Sequence, residues 1–79
     1  MIADEIEYMD KNGKLKLFLK AGVIPVRVKC QYDIYRHYER ELRLNKDRKD
    51  KIMQSVCNTS SAFKISDPTV FRAIKIMTR

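Results

Sequence analysis

The sequence predicts an all-α protein, a small single domain of four to five helices. Apolar residues recur at helical spacing along most of the 79 residues, and only two glycines and two prolines interrupt them. A hydrophobic fraction of 44% is ordinary for a chain that folds. Because a chain this short buries only about 60% of its unfolded surface, it cannot divide that surface between two cores. Residues 1–79 are therefore expected to form one helical domain.

The N-terminal segment, residues 1–24, is predicted to brace the rest of the domain. Three apolar residues at helical spacing, followed by an Asn-Gly turn pair, predict a short helix over residues 2–10. Residues 14–20 alternate as in a strand, but their apolar side chains also share a helix face, so a hairpin to the next apolar run is an alternative. We prefer a helix, because Gly22 suits a helix C-terminus and Pro25 suits the first turn of a following helix.

Two longer helices are predicted in the middle of the chain. Between Pro25 and about Leu44 an apolar residue recurs every four positions, which indicates an amphipathic helix of about five turns. A second stripe at helical spacing indicates a helix over roughly residues 47–63, although the poor helix formers at 58–61 favour a bend there. The two stripes consist of Cys30, Ile34, Tyr38 and Leu42, and of Ile52, Val56, Thr59, Ser60 and Phe63.

The chain is strongly basic, with 17 Lys and Arg against 10 Asp and Glu and a net charge of +7. Four acids and no base lie in the first ten residues, so positions 11–79 carry +11. An excess of positive charge on so small a surface favours polyanions such as nucleic acid or acidic lipid. Charge alone does not choose between them.

The sequence offers no candidate for catalysis, for a metal site or for a cofactor. Cys30 and Cys57 are 27 positions apart and only one histidine is present, which is too few ligands for a tetrahedral zinc site, so we predict two reduced, buried thiols. His37 follows Asp33 by one helical turn, which a surface ion pair explains, and no nucleophile accompanies the pair. We therefore expect a protein that is not an enzyme.

Two further interpretations concern the tyrosines and the membrane. Tyr32, Tyr35 and Tyr38 have the spacing of a half-buried helix edge, which we prefer to a platform for stacking single-stranded bases.

No apolar run approaches the roughly 20 residues of a membrane span, and residues 1–20 do not resemble a secretion signal. The sequence predicts a cytoplasmic protein without a membrane partner.

The most informative stretch is residues 59–77. Ser60 supplies a small side chain where two helices would cross, Ile65 would fill the corner, and Ser66 or Asp67 would cap the next helix. Such packing would turn the basic side of the second helix toward solvent. The residues expected to pack that helix inward are Val70, Ala73, Ile74 and Met77.

This stretch resembles the helix-turn-helix of bacterial and phage DNA-binding proteins, on the pattern Phe63, Ile65, Ser66, Thr69, Val70, Phe71, Arg72, Ala73 and Ile74. The resemblance implies that residues 25–79 form a trihelical DNA-binding unit. It also implies that the helix from Asp67 to about Thr78 reads bases in the major groove, while the preceding helix crosses the phosphate backbone.

Three residues depart from the family pattern. Ser60 stands in place of the usual alanine, and Pro68 falls within the first turn of the recognition helix, where its missing amide is tolerated. Lys64 occupies the turn position usually taken by glycine or asparagine. A left-handed Lys64 would cost about 1 kcal/mol, so its geometry is the open point of the turn.

The resemblance and the residue types together give two sets of candidate contacts with double-stranded DNA. An arginine can donate two hydrogen bonds to guanine, and basic residues before and within the motif can bind phosphates. The candidate base contacts are Asp67, Pro68, Thr69, Phe71, Arg72 and Lys75. The candidate phosphate contacts are Lys46, Arg48, Lys49, Lys51, Lys64, Ser66 and Arg79.

The functional prediction is a small bacterial or phage-type DNA-binding protein, either a transcription regulator or an accessory factor of DNA packaging or of a mobile element. The alternative is a non-catalytic protein-interaction module whose basic face docks an acidic partner. Residues 1–24, with Leu17 or Phe18 exposed, form a candidate surface for a homodimer.

Overall fold

The computed structural model describes residues 1–79 as five α-helices without a strand, which confirms the predicted fold class. The helices are α1 (Ile2–Lys11), α2 (Lys14–Lys20), α3 (Val26–Leu44), α4 (Lys51–Phe63) and α5 (Asp67–Met77). The hairpin alternative for the second segment is therefore wrong. Gly13 and Gly22 adopt φ values of +74° and +76°, which glycine reaches without steric cost, and each lies where the chain turns between two helices.

The predicted boundaries need two corrections. Pro25 precedes α3 in an extended conformation, with φ −63° and ψ 144°, instead of lying within its first turn. The helix predicted from residue 47 begins only at Lys51, because the charged residues before it form a turn in which the Arg48 amide donates to the Asn45 carbonyl at 3.0 Å. The bend expected near residues 58–61 is absent, since α4 runs unbroken to Phe63.

Most of the core lies among α3, α4 and α5, which all pack against one another, and α1 and α2 add Ala3, Ile6 and Leu15. Because a step of four residues turns a helix by about 400°, a row at that spacing drifts by about 40° per step, and Cys30 lies well off the buried row of α3. Cys30 and Cys57 are both exposed, so the prediction of two buried thiols is wrong. Ile52, in the first turn of α4, is also misplaced, being 50% exposed. The core residues are Ala3, Ile6, Leu15, Tyr32, Ile34, Tyr35, Tyr38, Val56, Val70, Ala73 and Met77.

The two N-terminal helices attach to this unit mainly through α1, which packs against α2, α3 and α5. Arg36 on α3 donates from Nη2 to the Glu7 carboxylate at 2.7 Å and to the Ala3 carbonyl at 3.4 Å. The Ile2 amide donates to the Arg79 carbonyl at 3.1 Å. Hydrogen bonds thus tie α1 both to α3 and to the residues that follow α5.

Candidate nucleic-acid interface

The turn between α4 and α5 has the left-handed geometry that a helix-turn-helix requires. Lys64 adopts φ 56° and ψ 46° and is the only residue other than glycine with a positive φ. The Ile65 amide donates to the Ser60 carbonyl at 3.0 Å, and the Lys64 amide donates to the Ser61 carbonyl at 3.4 Å. These two bonds make a Schellman motif, which closes the C-terminus of α4. A lysine replaces the usual glycine at a cost of about 1–2 kcal/mol.

The corner between the two helices is packed as the sequence predicted. Ser60 is buried and its hydroxyl donates to the Cys57 carbonyl at 2.9 Å, which satisfies the side chain without widening the helix crossing. Ile65 and Ile74 are partly buried against the core. The remaining inward residues of α5 are Val70, Ala73 and Met77, each at most 1% exposed.

The start of α5 differs in one detail from the prediction. Ser66 occupies the N-cap position in extended backbone, and its carbonyl accepts from the Thr69 and Val70 amides. No side chain caps the helix. Instead the Ser66 hydroxyl pairs with the Thr69 hydroxyl at 2.9 Å. This pair draws Thr69 back toward the turn, where it is half-buried, while Asp67 and Pro68 are exposed.

The outward face of α5 carries exposed donors that no carboxylate occupies. Arg72, Lys75 and Arg79 are exposed and form no ion pair within the chain. Phe71 lies beside them, 43% exposed. From Pro68 to Lys75 the helix rises about 10 Å, which matches roughly three base pairs at about 3.4 Å each. The face therefore has the length and the free hydrogen-bond donors needed to contact base edges.

The residues before and at the start of α4 form a second basic surface. Lys46, Lys49 and Lys51 are exposed and unpaired. Arg48 differs, because its Nε and Nη2 donate to the Asp50 carboxylate at 3.0 and 3.4 Å. This hydrogen bond raises the pKa of Arg48 and lowers that of Asp50. Arg48 is thus the weakest of the candidate phosphate contacts, since a phosphate would have to displace Asp50.

The ion pair expected on α3 between Asp33 and His37 is replaced by other contacts. Asp33 accepts from Lys29 at 2.6 Å, so the expected surface pair of Asp33 with His37 is wrong. His37 instead places Nδ1 3.1 Å from the Thr59 hydroxyl, and its ring meets the Phe63 ring edge-on at 5.5 Å. The single histidine of the chain therefore joins α3 to α4.

The three tyrosines of α3 are more buried than half-buried edges would be. Tyr32, Tyr35 and Tyr38 are 7%, 6% and 9% exposed, and the Arg36 guanidinium lies 5.1 Å from the centre of the Tyr32 ring. Rings held in this way have no free face for a base. The interpretation as core residues is confirmed.

A basic groove on α3 was not among the predicted sites. Its volume is about 360 Å³, and Arg40 and Arg43 in its wall are exposed and without a carboxylate partner. Arginines at 36, 40 and 43 recur at the spacing of one helix face, which was the available sequence signal. The groove is lined by Tyr32, Asp33, Arg36, His37, Arg40, Arg43 and Phe63.

Comparison with protein-family models, with curated proteins and with solved structures finds no match to this chain. None of the five helices combines the length and the apolar character that a bilayer-crossing segment needs. No three side chains of the His, Cys, Asp and Glu types come together as metal ligands would.

Proposed function

We propose that this chain is a cytoplasmic protein that binds double-stranded DNA, with α5 in the major groove and α4 across the phosphate backbone. The observation that carries the proposal is the left-handed Schellman turn at Lys64, because it joins α4 to a helix whose outward face holds unpaired donors. Lysine at a position that favours glycine needs a compensating benefit, and a phosphate contact supplies one.

Base recognition is assigned to the outward face of α5. Arg72 can donate two parallel hydrogen bonds to guanine O6 and N7, and Lys75 can donate to the same acceptors one turn further along. Phe71 and Thr69 can contact a thymine methyl group. Asp67 can accept a hydrogen bond from a cytosine amino group. Pro68 can contact the bases beside it, and its missing amide removes no helical hydrogen bond because it lies in the first turn.

Backbone contacts are assigned to residues on both sides of α5. Lys64 and Ser66 precede α5, and Arg79 follows it. Lys46, Lys49 and Lys51 lie before or at the start of α4, where the positive end of the helix dipole also favours a phosphate. The charge of +11 over positions 11–79 raises the rate of encounter with any duplex. A protein of this kind would serve as a small regulator or as an accessory factor of DNA packaging or of a mobile element.

A titration of a random-sequence duplex in increasing salt tests the proposal. If four to six phosphates are neutralised, log affinity should fall against log salt with a slope of about −4 to −5. Lys51→Ala should make the slope less steep by about 0.9. Lys14→Ala is the matched control, because it removes the same charge from α2, whose main packing partner is α1. Equal effects of the two substitutions, or no binding, would contradict the proposal.

The groove on α3 favours a second candidate function, a protein-interaction module that docks an acidic partner. Arg40 and Arg43 supply its unpaired charge. Under this alternative, Arg40→Glu with Arg43→Glu should abolish binding of an acidic peptide. A chain that binds the peptide and no duplex would select the alternative.

A further inference from the structure

Exposed apolar side chains concentrate at the N-terminal end of the protein. Ten large hydrophobic residues are exposed, and five of them lie within the first 26 positions. Tyr8 and Leu17 are 65% and 62% exposed although they belong to helices. Apolar residues exposed singly need no explanation, but several of them in one part of the chain indicate a candidate interaction surface. The five residues are Met1, Tyr8, Leu17, Val23 and Val26.

The charges around these residues are segregated by helix. On α1, Asp4 and Glu5 stand one turn before Tyr8, and both acids are exposed. On α2, Lys16 directly precedes Leu17 and Lys20 follows it by three positions, and the three together line an open groove of about 470 Å³. We call these two sets the acidic stripe and the basic stripe.

The two stripes have little charge compensation within the chain. Glu5, Lys16 and Lys20 form no ion pair, and Asp4 contacts only the amino group of Met1 at 3.5 Å. Because α1 and α2 pack directly against each other, both stripes belong to one helical hairpin. The hairpin therefore exposes an acidic stripe on one helix and a basic stripe on the other.

We propose that this hairpin docks a second copy of the chain, with the acidic stripe of each copy on the basic stripe of the other. A two-fold axis places the same surface on both sides of an interface, so the surface must complement itself. One acidic and one basic stripe on the same hairpin meet that condition when the two-fold rotation brings the acidic stripe of each copy onto the basic stripe of the other. Tyr8 and Leu17 then cover each other at the centre, and the charged residues form the rim and fix the register.

The proposal does not depend on DNA binding. One consequence does rest on the proposed function: a two-fold dimer would present two copies of α5, as proteins that read paired half-sites about one helical turn apart require. The dimer itself is measured without DNA, so its failure and the failure of the proposed function are separate results.

Sedimentation equilibrium of the full chain, without DNA, tests the interface. The wild-type chain should form a dimer at micromolar to millimolar concentration, and the dimer should weaken as salt rises because rim charges are screened. One variant carries Asp4→Lys with Glu5→Lys, and the other carries Lys16→Glu with Lys20→Glu. Each variant should be monomeric, because both stripes then have the same sign. All four positions are exposed, and circular dichroism should show unchanged helicity.

Mixing the two variants in equal amounts gives the decisive result. Each variant now carries stripes of one sign, opposite to that of the other variant, so both contacts of the interface become favourable and a heterodimer should form. Leu17→Ser should weaken dimers of every charge combination. A wild-type monomer at all concentrations overturns the proposal and points to a different protein as the occupant. Dimerisation of each variant alone, or a mixture that stays monomeric, overturns it as well.

Discussion

Replacing Lys64 by glycine should stabilise the protein and weaken its binding to DNA. Lys64 has φ 56° and ψ 46°, a conformation that costs a residue with a Cβ about 1–2 kcal/mol. Glycine removes that cost, although its greater freedom in the unfolded chain returns about 0.4–1 kcal/mol. The net gain is about 0.5–1 kcal/mol, since Lys64 is exposed and forms no ion pair. In a domain of this size such a gain raises Tm by about 2–8 °C.

Thermal unfolding followed by circular dichroism measures the first effect, and duplex titration in salt measures the second. Loss of one phosphate contact should make the salt slope less steep by about 0.9. Lys64→Ala is the matched control, because it removes the same charge but keeps the Cβ, so it should weaken DNA binding without raising Tm. A lower Tm for Lys64→Gly would refute the left-handed turn. Unchanged DNA binding by both variants would refute the phosphate contact.

Three further predictions concern the core. Val70→Asp should abolish cooperative unfolding, because it buries an unpaired carboxylate at a site that is 0% exposed. Phe71→Asp, on the outward face of α5, is the control and should leave a folded protein. Unchanged helicity and Tm in Val70→Asp would show that the assignment of the buried face of α5 is wrong. Burial raises the pKa of Tyr38, so urea denaturation should show stability falling as pH rises above about 10, and Tyr38→Phe should reduce that fall; an identical pH dependence would contradict it. Ser55→Ala should leave the free energy of unfolding unchanged or raise it by up to about 1 kcal/mol, because the buried Ser55 hydroxyl has no hydrogen-bond partner. A markedly lower free energy of unfolding would show that the hydroxyl does have a partner.

The sequence predicted the helices well because their inward faces are continuous. The row through Val70, Ala73 and Met77 identifies both the existence of α5 and its buried side, and the structure confirms each residue. Periodicity does not show where a helix extends beyond the body that buries it. Ile52 keeps the helical spacing of α4 but lies in its first turn, where no neighbouring helix covers it, and it is 50% exposed.

The sequence predicted the turn between α4 and α5 and the outward face of α5, but it did not predict the ion pairs of the candidate site. The resemblance to a helix-turn-helix, in which glycine or asparagine usually stands at the position of Lys64, raised the question of a left-handed backbone, which the structure answers. The pairing of Arg48 with Asp50 was not predicted, because both residues lie in a turn whose shape no periodic pattern specifies. The arginine row of α3 was visible in the sequence, but the groove also needs Phe63 from α4.

Binding of the Arg72→Ala variant to two duplexes tests the central claim, that α5 reads DNA sequence, most directly. One duplex is the site selected by the wild-type chain from a random pool, and the other is the same site scrambled. Arg72→Ala should cost about 1–3 kcal/mol on the selected site and almost nothing on the scrambled one. Lys51→Ala should weaken both duplexes alike, because phosphates are the same in every sequence. Equal losses on the two duplexes for Arg72→Ala, or a pool without an enriched site, would contradict sequence recognition by α5.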